Sequence, residues 1–268
     1  ALSGDINATV ATLKRYIAEA AARIDQELEY AREIQLSVMP RVYPPFPNRK
    51  EFDIYATMCA AKEVGGDFYD FYLLGENRLA FLIADVSGKG IPAAMFMMTA
   101  RTLIKSLAES GLEPDEVFTR ANEQLCADND TGMFVTAWMG ILDLTSGHVR
   151  FVNGGHNPPV ILRGGGEASF LRTRPGFVLA GMEGVEYRKE TLKLAPGDKI
   201  YLYTDGVTEA MDSSQTLYGE KRLLALLETK SRLEVQQLCQ AVLEDIDRFV
   251  GTASQFDDIT MLALEWRG

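Results

Sequence analysis

Residues 79–88 read LAFLIADVSG, and this stretch decides the fold. Every residue from Leu79 to Ala84 is apolar, which is typical of a strand buried on both faces. The acidic Asp85 ends the apolar run, and Gly88 follows it closely. The stretch therefore predicts a core strand that carries a carboxylate to its end, beside a turn.

The runs on either side of this strand form hairpins and helix pairs. Predicted strands cover Phe52–Ala60, Phe68–Leu74, Leu79–Asp85, Phe134–Leu142, His148–Asn153, Val160–Arg163, Tyr187–Leu194, Lys199–Thr204 and Ile259–Trp266. Predicted helices cover Ile91–Glu109, Pro114–Asp128, Glu220–Thr229 and Leu233–Val250. Because hairpins follow one another and helices come in pairs, the pattern predicts an α+β protein in which two stacked antiparallel sheets are flanked by helix pairs.

A long helix is predicted before this sandwich, over residues 2–39. Its apolar residues recur in alternating steps of four and three, the spacing of a coiled-coil seam, at Ile6, Val10, Leu13, Ile17, Ala20 and Ile24. A second consecutive step of four, to Leu28, is a stutter, and the seam continues through Ala31 and Gln35 to Val38. The helix either packs on its own domain or self-associates, and the narrow seam favours a homodimer.

Prolines at positions 40, 44, 45 and 47 end this helix and make a stiff connector. We therefore divide the chain into an N-terminal helix (1–39), a Pro-rich connector (40–50) and a main domain (51–268). Because the chain starts within a coiled-coil seam, we expect it to be the output end of a longer signalling protein with an upstream sensor domain. The sequence leaves open whether that parent protein is tethered to a membrane.

Composition excludes several classes of function. Lys and Arg number 27 against 38 Asp and Glu, a net charge of −11, and no basic run appears, so we expect no nucleic-acid partner. The longest apolar runs are strand-sized and fall short of the roughly 20 residues of a membrane helix. Cys59, Cys126 and Cys239 are widely spaced and predict reduced thiols in a cytoplasmic protein. With only His148 and His156, a histidine-rich metal site is excluded.

Four acidic motifs share one design, an acid at the end of a predicted strand beside a glycine or another acid. The motifs are Gly65-Gly66-Asp67, Asp85-Val86-Ser87-Gly88, Thr204-Asp205-Gly206 and Asp257-Asp258. Any one of them is explained as well by an ordinary turn, in which aspartate and glycine are common. If four carboxylates converge about 6 Å apart, each pair repels by roughly 3 kcal/mol, so the cluster must bind protons or cations.

The type of ligand atom limits the choice of cation. Carboxylate oxygens without a neighbouring histidine or cysteine favour Mg²⁺ or Mn²⁺. Two such ions about 4 Å apart would activate a bridging water for in-line attack on phosphorus. The residues alone therefore predict a two-metal phosphoester hydrolase, provided that the four motifs meet in the folded chain.

Six motifs in this order resemble the PPM family of metal-dependent protein serine/threonine phosphatases, in particular its bacterial SpoIIE/RsbU-like branch. They are Ala31-Arg32-Glu33-Ile34-Gln35 with Met39-Pro40, Glu63-Val64-Gly65-Gly66-Asp67-Phe68-Tyr69-Asp70, Asp85-Val86-Ser87-Gly88-Lys89-Gly90, Gly155-His156-Asn157-Pro158-Pro159, Thr204-Asp205-Gly206-Val207-Thr208-Glu209 and Asp257-Asp258-Ile259-Thr260. The resemblance extends from about Glu29 to Glu265. It implies an αββα sandwich, which matches the predicted order of strands and helices.

The resemblance implies a role for each acid. Asp85 would bridge two Mn²⁺ or Mg²⁺ ions, with the Val86 carbonyl as a second contact. Asp67 would bind one ion, and Asp205 and Asp257 would bind the other. In this assignment Asp85 and Asp205 are the catalytic acids.

Three further residues have alternative assignments. Asp258 replaces Asp257 if the final pair is read one position along. Asp70 either supports the ligands from behind or is a plain surface acid. Larger family members carry a histidine after the bridging aspartate, whereas this chain has Val86-Ser87-Gly88-Lys89 there. A metal-bound water is therefore the preferred general acid, because His156 is better explained as a turn histidine bonded to the backbone.

The resemblance also implies a substrate, a phosphorylated STAS-type anti-anti-sigma protein. Its dephosphorylation on serine or threonine would let it capture an anti-sigma kinase, which releases a sigma factor. The helix Ile91–Glu109 would act as a switch that the N-terminal helix biases. The alternative is a catalytically silent regulatory module that keeps the fold and binds a partner without turnover, although the presence of all four acids argues against it.

Overall fold

The computed structural model describes the backbone of residues 2–127 and 129–268, and the side chains of residues 9–127 and 129–268. Two sequence predictions fall outside these residues: the place of Ile6 in the helical seam and the end of a helix at Asp128. The described chain forms two stacked sheets with helices on both outer faces and one long helix at the N-terminus.

The order of elements follows the predicted hairpins and helix pairs. The helices are α1 (Leu2–Val38), α2 (Ile91–Glu109), α3 (Pro114–Ala127), α4 (Asp205–Thr208), α5 (Gly219–Lys230) and α6 (Val235–Val250). The strands are β1 (Phe52–Cys59), β2 (Phe68–Leu73), β3 (Arg78–Val86), β4 (Val135–Asp143), β5 (His148–Gly154), β6 (Val160–Leu162), β7 (Ala168–Phe170), β8 (Glu190–Lys193), β9 (Lys199–Tyr203) and β10 (Ile259–Trp266).

These strands form two five-stranded sheets. The first sheet has the order β1-β10-β9-β6-β7 and the second β2-β3-β4-β5-β8. All pairings within the two sheets are antiparallel. Helices α5 and α6 pack on the first sheet, and α2 and α3 pack on the second. The predicted αββα sandwich is therefore confirmed.

The strand that decides the fold lies at the centre of the second sheet. β3 pairs with β2 on one side and β4 on the other. Its residues from Leu79 to Ala84 are 0% exposed, because α2 covers one face and the opposite sheet covers the other. The prediction of a strand buried on both faces is confirmed, and burial of these side chains contributes to the stability of the sandwich.

The structure contains two short elements that the sequence pattern does not predict. β7 is a half-exposed edge strand of three residues, too short to show period-two alternation. α4 is a single turn that begins directly after β9, where the sequence is typical of a turn. β8 is shorter than predicted, because Tyr187 lies in the preceding loop and its hydroxyl donates to the Val178 carbonyl at 3.1 Å.

Helix α1 changes its environment along its length. Residues 9–27 are all exposed. Gln35, in the last turn of the helix, and Met39, just after its end, are buried against the sandwich. The Pro-rich connector is also attached, since the Tyr43 hydroxyl donates to the Ala56 carbonyl at 2.8 Å. The division of the chain at residues 39 and 50 stays a prediction. Among the described helices, α1 included, none combines the length and hydropathy that a membrane span requires.

Candidate metal centre

The four predicted acids lie at the ends of core strands from both sheets. Asp67 immediately precedes β2, and Asp85 lies near the end of β3, in the second sheet. Asp205 begins α4 just after β9, and Asp257 lies two residues before β10, in the first sheet. The sandwich therefore brings side chains that are far apart in sequence to one end of the interface between its layers.

Asp67 is the most deeply buried of these acids. It is 2% exposed, and its carboxylate accepts a hydrogen bond from the Thr204 hydroxyl at 2.7 Å. The same hydroxyl oxygen accepts from the Thr260 N–H at 3.0 Å, so Thr204 fixes Asp67 against β10. Burial, followed by repulsion from Asp85 and Asp258, raises the pKa of Asp67 well above its usual value.

The remaining predicted acids repel one another. Burial raises the pKa of Asp85 to about 7, and repulsion from Asp205 and Asp257 adds to this effect. The pKa of Asp205 is also raised, first by burial and then by repulsion from Glu209 and Asp257. Asp85 and Asp205 therefore both lie near other carboxylates, and a bound cation would offset that repulsion.

Two glycines are required because other backbone comes close to them. A Cβ atom on Gly66 would lie 2.6 Å from the carbonyl oxygen of Val86. A Cβ atom on Gly206 would lie 2.0 Å from the carbonyl oxygen of Asp258. Glycine at these positions lets the loops that carry the acids approach the ends of the strands.

Asp258 faces the protein backbone and uses both carboxylate oxygens there. Its Oδ1 accepts from the N–H of Ala61 at 2.8 Å, and its Oδ2 accepts from the N–H of Gly66 at 2.9 Å. The side chain therefore holds the loop that leads to Asp67. Asp257 is also engaged, since its Oδ1 accepts from the N–H of Asp258 at 3.0 Å and its Oδ2 pairs with Lys89, but it is half-buried whereas Asp258 is buried. The assignment of Asp257 rather than Asp258 to an ion stays a prediction.

Asp70 is not a surface acid, so that alternative is wrong. Its side chain is 1% exposed and forms an ion pair of 2.7 Å with Arg101 of α2. Burial raises the pKa of Asp70 to about 6, although the charge of Arg101 opposes the shift. Within β2 the residue points towards the helix layer, where the ion pair joins α2 to the sheet.

Both ring nitrogens of His156 are engaged inside the protein. The Nε2–H donates to the carbonyl of Tyr203 at 3.1 Å, and Nδ1 accepts from the Thr136 hydroxyl at 2.9 Å. Burial lowers the pKa of His156 to about 4, so the ring is neutral at pH 7. Its single proton is held by a backbone carbonyl, which agrees with the turn-histidine interpretation and argues against a role as general acid.

The burial of His156 has a measurable consequence for stability. The unfolded chain protonates this ring near pH 6.5 and the folded chain near pH 4, so the unfolded state binds more protons between these values. The contribution of His156 to the free energy of unfolding should therefore fall by about 3 kcal/mol as the pH drops from 6.5 to 4. Urea unfolding at both pH values should show a smaller loss in His156→Gln than in the wild type or the exposed control His148→Gln. An equal loss in all three proteins would contradict this expectation.

Lys89 places a positive charge at the edge of the acids. Its Nζ lies 3.0 Å from Oδ2 of Asp257 and donates to the carbonyl of Phe256 at 2.7 Å. Within residues 9–127 and 129–268, no three Asp, Glu, His or Cys side chains are already close enough to hold an ion together. The lysine thus neutralises part of the charge that a metal ion would neutralise, and the oxygen donors fit Mg²⁺ or Mn²⁺.

Gln35 of α1 is a positioning residue that sequence reasoning missed. Its Nε2 donates to the carbonyl of Gly65 at 2.6 Å, and its Oε1 accepts from the N–H of the same residue at 3.2 Å. The signal in the sequence is a polar residue at a seam position of an otherwise apolar stripe. Through this pair of bonds, the end of α1 contacts the loop that carries Asp67.

Replacing Gln35 with leucine should destabilise this contact. The substitution would leave the N–H and carbonyl of Gly65 buried without partners, at a cost of about 1–3 kcal/mol. Urea unfolding measures the loss, and Gln26→Leu is the matched control, because Gln26 lies on the exposed part of the same helix. Equal stability of the two variants would show that the Gly65 contact does not hold α1 in place.

Comparison with known proteins agrees with this geometry. The family model of stage II sporulation protein E (SpoIIE) matches residues 75–267. Protein IcfG of Synechocystis sp. (strain ATCC 27184 / PCC 6803 / Kazusa) is 29% identical over 265 residues, which cover 89% of this chain and 41% of IcfG. Phosphoserine phosphatase RsbU of Bacillus subtilis (strain 168) is 27% identical over 241 residues, covering 90% of this chain and 70% of RsbU. The chain therefore spans less than half of IcfG.

Solved structures share the sandwich. The SiaA-PP2C domain of Pseudomonas aeruginosa has a TM-score of 0.82 at 22% identity, covering 92% of this chain and 98% of that domain. The RsbU and RsbW domains of Rv1364c from Mycobacterium tuberculosis give 0.71 at 27% identity, covering 81% and 60% of the two chains. The PstP catalytic domain, solved with 2 manganese ions, gives 0.61 at 17% identity, covering 81% and 99%. Because the family model spans well over half of the sequence, this chain belongs to the SpoIIE family, and it has the fold of the SiaA-PP2C domain.

Proposed function

We propose that this chain is a Mn²⁺- or Mg²⁺-dependent phosphatase that hydrolyses phosphoserine or phosphothreonine in a protein regulator. The observation that carries the proposal is the convergence of Asp85 from one sheet with Asp205 and Asp257 from the other. Their mutual repulsion is the expected property of a site that acquires its full stability with cations.

In this proposal two ions are held by four carboxylates and one backbone carbonyl, those of Asp67, Asp85, Asp205, Asp257 and Val86. When bound, the ions supply a nucleophilic water at neutral pH and positive charge for the phosphoryl oxygens. The protein's own contribution is orientation. Thr204 fixes Asp67, and Asp258 fixes the loop before it. Because His156 donates its proton to a backbone carbonyl, this ring is not the proton donor to the leaving oxygen, and the general acid expected from the sequence, a water bound to a metal ion, stays a prediction.

The direct test is release of phosphate from an aryl phosphate with and without Mn²⁺. Turnover that requires Mn²⁺ and stops in Asp205→Asn supports the proposed chemistry. Asp212→Asn is a matched control, because Asp212 lies in the same segment and caps a surface turn rather than facing the acids. Full turnover in Asp205→Asn would exclude the metal mechanism. Absence of turnover on every substrate would instead favour the silent partner-binding module.

The proposed protein substrate is a phosphorylated STAS-type anti-anti-sigma protein in a partner-switching system. The similarity to RsbU, named a phosphoserine phosphatase, supports this choice of substrate class. Incubation with candidate phosphorylated STAS proteins, followed by mass spectrometry of the phosphate group, tests the assignment.

The three unpaired cysteines support a reducing, cytoplasmic location for this domain.

We further propose that α1 pairs with α1 of a second copy. Val10, Leu13, Ile17 and Ile24 are between 44% and 68% exposed, so their apolar side chains have no cover within the chain. Such a stripe is suited to a coiled-coil partner. Introducing a charge with Ile17→Glu should convert the dimer to a monomer in light scattering, whereas the flanking Arg15→Glu should leave it a dimer. A dimer in both variants would place the interface elsewhere.

The switch assigned to α2 also remains a proposal. Its support is that α2 begins just after Lys89, which contacts Asp257, and is joined to β2 by the Arg101–Asp70 ion pair. The contact of α1 with α2 gives the N-terminal helix a route to this element. Trapping two positions of α2 by engineered disulfides tests the idea, because equal Mn²⁺ affinity in both positions would refute it.

A further inference from the structure

A cavity of about 210 Å³ lies directly beside the candidate metal centre. Gly206 and Asp257 form part of its wall, so the cavity and the proposed reaction site share residues. The other walls come from the end of α6 and from the loop that follows it. An engineered protein cavity of about 150 Å³ holds a benzene molecule, so this cavity is large enough for one long side chain.

The cavity has an apolar wall and an acidic rim. Met211, Ile246 and Val250 supply apolar surface. Glu209 and Asp247 supply carboxylates, both on exposed residues. This combination suits a side chain that has an aliphatic stem and a charged end, because the stem packs on apolar surface while the end reaches the rim.

The rim keeps its negative charge when neighbouring cations are taken into account. Lys89 is paired with Asp257, and Arg248 of α6 is paired with Asp245. Among the described residues, neither Glu209 nor Asp247 takes part in an ion pair. Two divalent ions at the proposed site would offset its four carboxylates and would leave Lys89 to compensate one rim acid, so the rim would keep one net negative charge.

The C-terminal end of α6 adds to the negative potential of the cavity. The helix has 16 residues and ends at the cavity, where Gly251 donates its N–H to the carbonyl of Asp247. The carbonyl groups of a helix C-terminus carry a partial negative charge that favours cations. The helix end and the two rim acids therefore act in the same direction.

We propose that this cavity binds a long basic side chain, arginine or lysine, that flanks the phosphorylated residue of the substrate. The proposal rests on the phosphatase function proposed above and adds a specificity pocket to it. The phosphate group would go to the metal centre, and the neighbouring basic side chain would enter the cavity with its stem on Met211 and Val250. Its charged end would lie between Glu209 and Asp247.

Phosphoserine peptides that differ at one position test the pocket. In the full chain with Mn²⁺, a single arginine is moved through the three positions on each side of the phosphoserine, and kcat/KM is measured from released phosphate. At the best position arginine is then compared with methionine and glutamate. We expect arginine to be preferred over methionine by about fivefold, with glutamate the poorest. Equal kcat/KM for arginine and methionine at every position would overturn the pocket.

Rim variants assign the preference to the cavity. Asp247→Asn should reduce the arginine-to-methionine ratio about threefold, and Glu209→Gln should change it in the same direction. Glu244→Gln is the matched control, since Glu244 lies on α6 outside the cavity. An unchanged ratio in both rim variants would overturn the proposal. If the wild type hydrolyses an aryl phosphate but shows no preference for arginine in the peptides, the pocket alone is refuted. If the wild type does not hydrolyse an aryl phosphate at all, the proposed phosphatase function is refuted as well.

Discussion

Replacing Asp85 with asparagine is expected to abolish Mn²⁺-dependent phosphate release while stabilising the metal-free protein. Activity should fall about a thousandfold, because the group proposed to bridge both ions loses its charge. Stability should change in the opposite direction, because the ionised carboxylate is desolvated by burial and also repelled by Asp205 and Asp257. This pair of opposite effects separates a functional acid from one that merely supports the fold.

The pH dependence of this effect has a defined sign. The folded-state pKa of Asp85 is raised from 3.8 to about 7, so its contribution to stability is fully present below pH 4 and is lost as the pH rises through 7. An uncharged asparagine side chain avoids that loss, so Asp85→Asn should be more stable than the wild type by about 4 kcal/mol at pH 8 and by little at pH 4.

Two measurements check the expectation for Asp85. Phosphate release from an aryl phosphate gives the activity, and urea unfolding in the presence of a chelator gives the metal-free stability at both pH values. Asp53→Asn is the control, because Asp53 lies at the start of β1 and pairs with Arg267, away from the acids. A variant that is inactive but less stable than the wild type at pH 8 would show that Asp85 supports the fold.

Gly206→Ala adds only one methyl group, yet we expect it to destabilise the protein strongly. The new Cβ would lie 2.0 Å from the backbone oxygen of Asp258, a distance that real structures do not tolerate. Neither backbone segment can move freely, since Thr204, just after β9, and Thr260 of β10 are hydrogen-bonded to each other. We expect a loss of at least about 3 kcal/mol in the free energy of unfolding and a melting temperature about 10 °C lower.

The same substitution should also remove activity from any protein that still folds. Moving the backbone of Asp258 displaces Asp257 and releases the loop at Gly66. Thermal unfolding and Mn²⁺-dependent turnover measure the two effects. Gly165→Ala is the control, because its Cβ would meet no atom within 4 Å. Comparable melting temperature and turnover in the two variants would mean that the loop before β10 adjusts more easily than its contacts suggest.

Much of the fold could be predicted because its central strand is apolar at every position. The hairpin order then determines the sandwich, and the acids at strand ends follow from it. The choice between Asp257 and Asp258 could not be made, since adjacent residues at a strand end differ only in the direction they face. That direction depends on the N–H groups of Ala61 and Gly66, which are distant in sequence.

Other parts of the site depend on contacts that leave no pattern in the sequence. Asp70 resembles any acid beside a glycine-rich turn until Arg101 of α2 is seen to pair with it inside the protein. Gln35 occupies a seam position, which predicts contact with another helix, yet it bonds the Gly65 backbone. The cavity beside Asp257 is formed by two stretches of chain, residues 206–211 and 246–259, so neither its volume nor its rim acids could be inferred before the chain was folded.

The division of the acids between two sheets has a mechanical consequence. Asp85 belongs to one layer, whereas Asp205 and Asp257 belong to the other. A cation bound by acids of both layers would cross-link the two sheets. A small sliding of one sheet against the other would lengthen the bonds from one layer to the ion, so the affinity for the ion would depend on the relative position of the sheets. Metal-dependent activity and the rigidity of this end of the sandwich would therefore increase or decrease together.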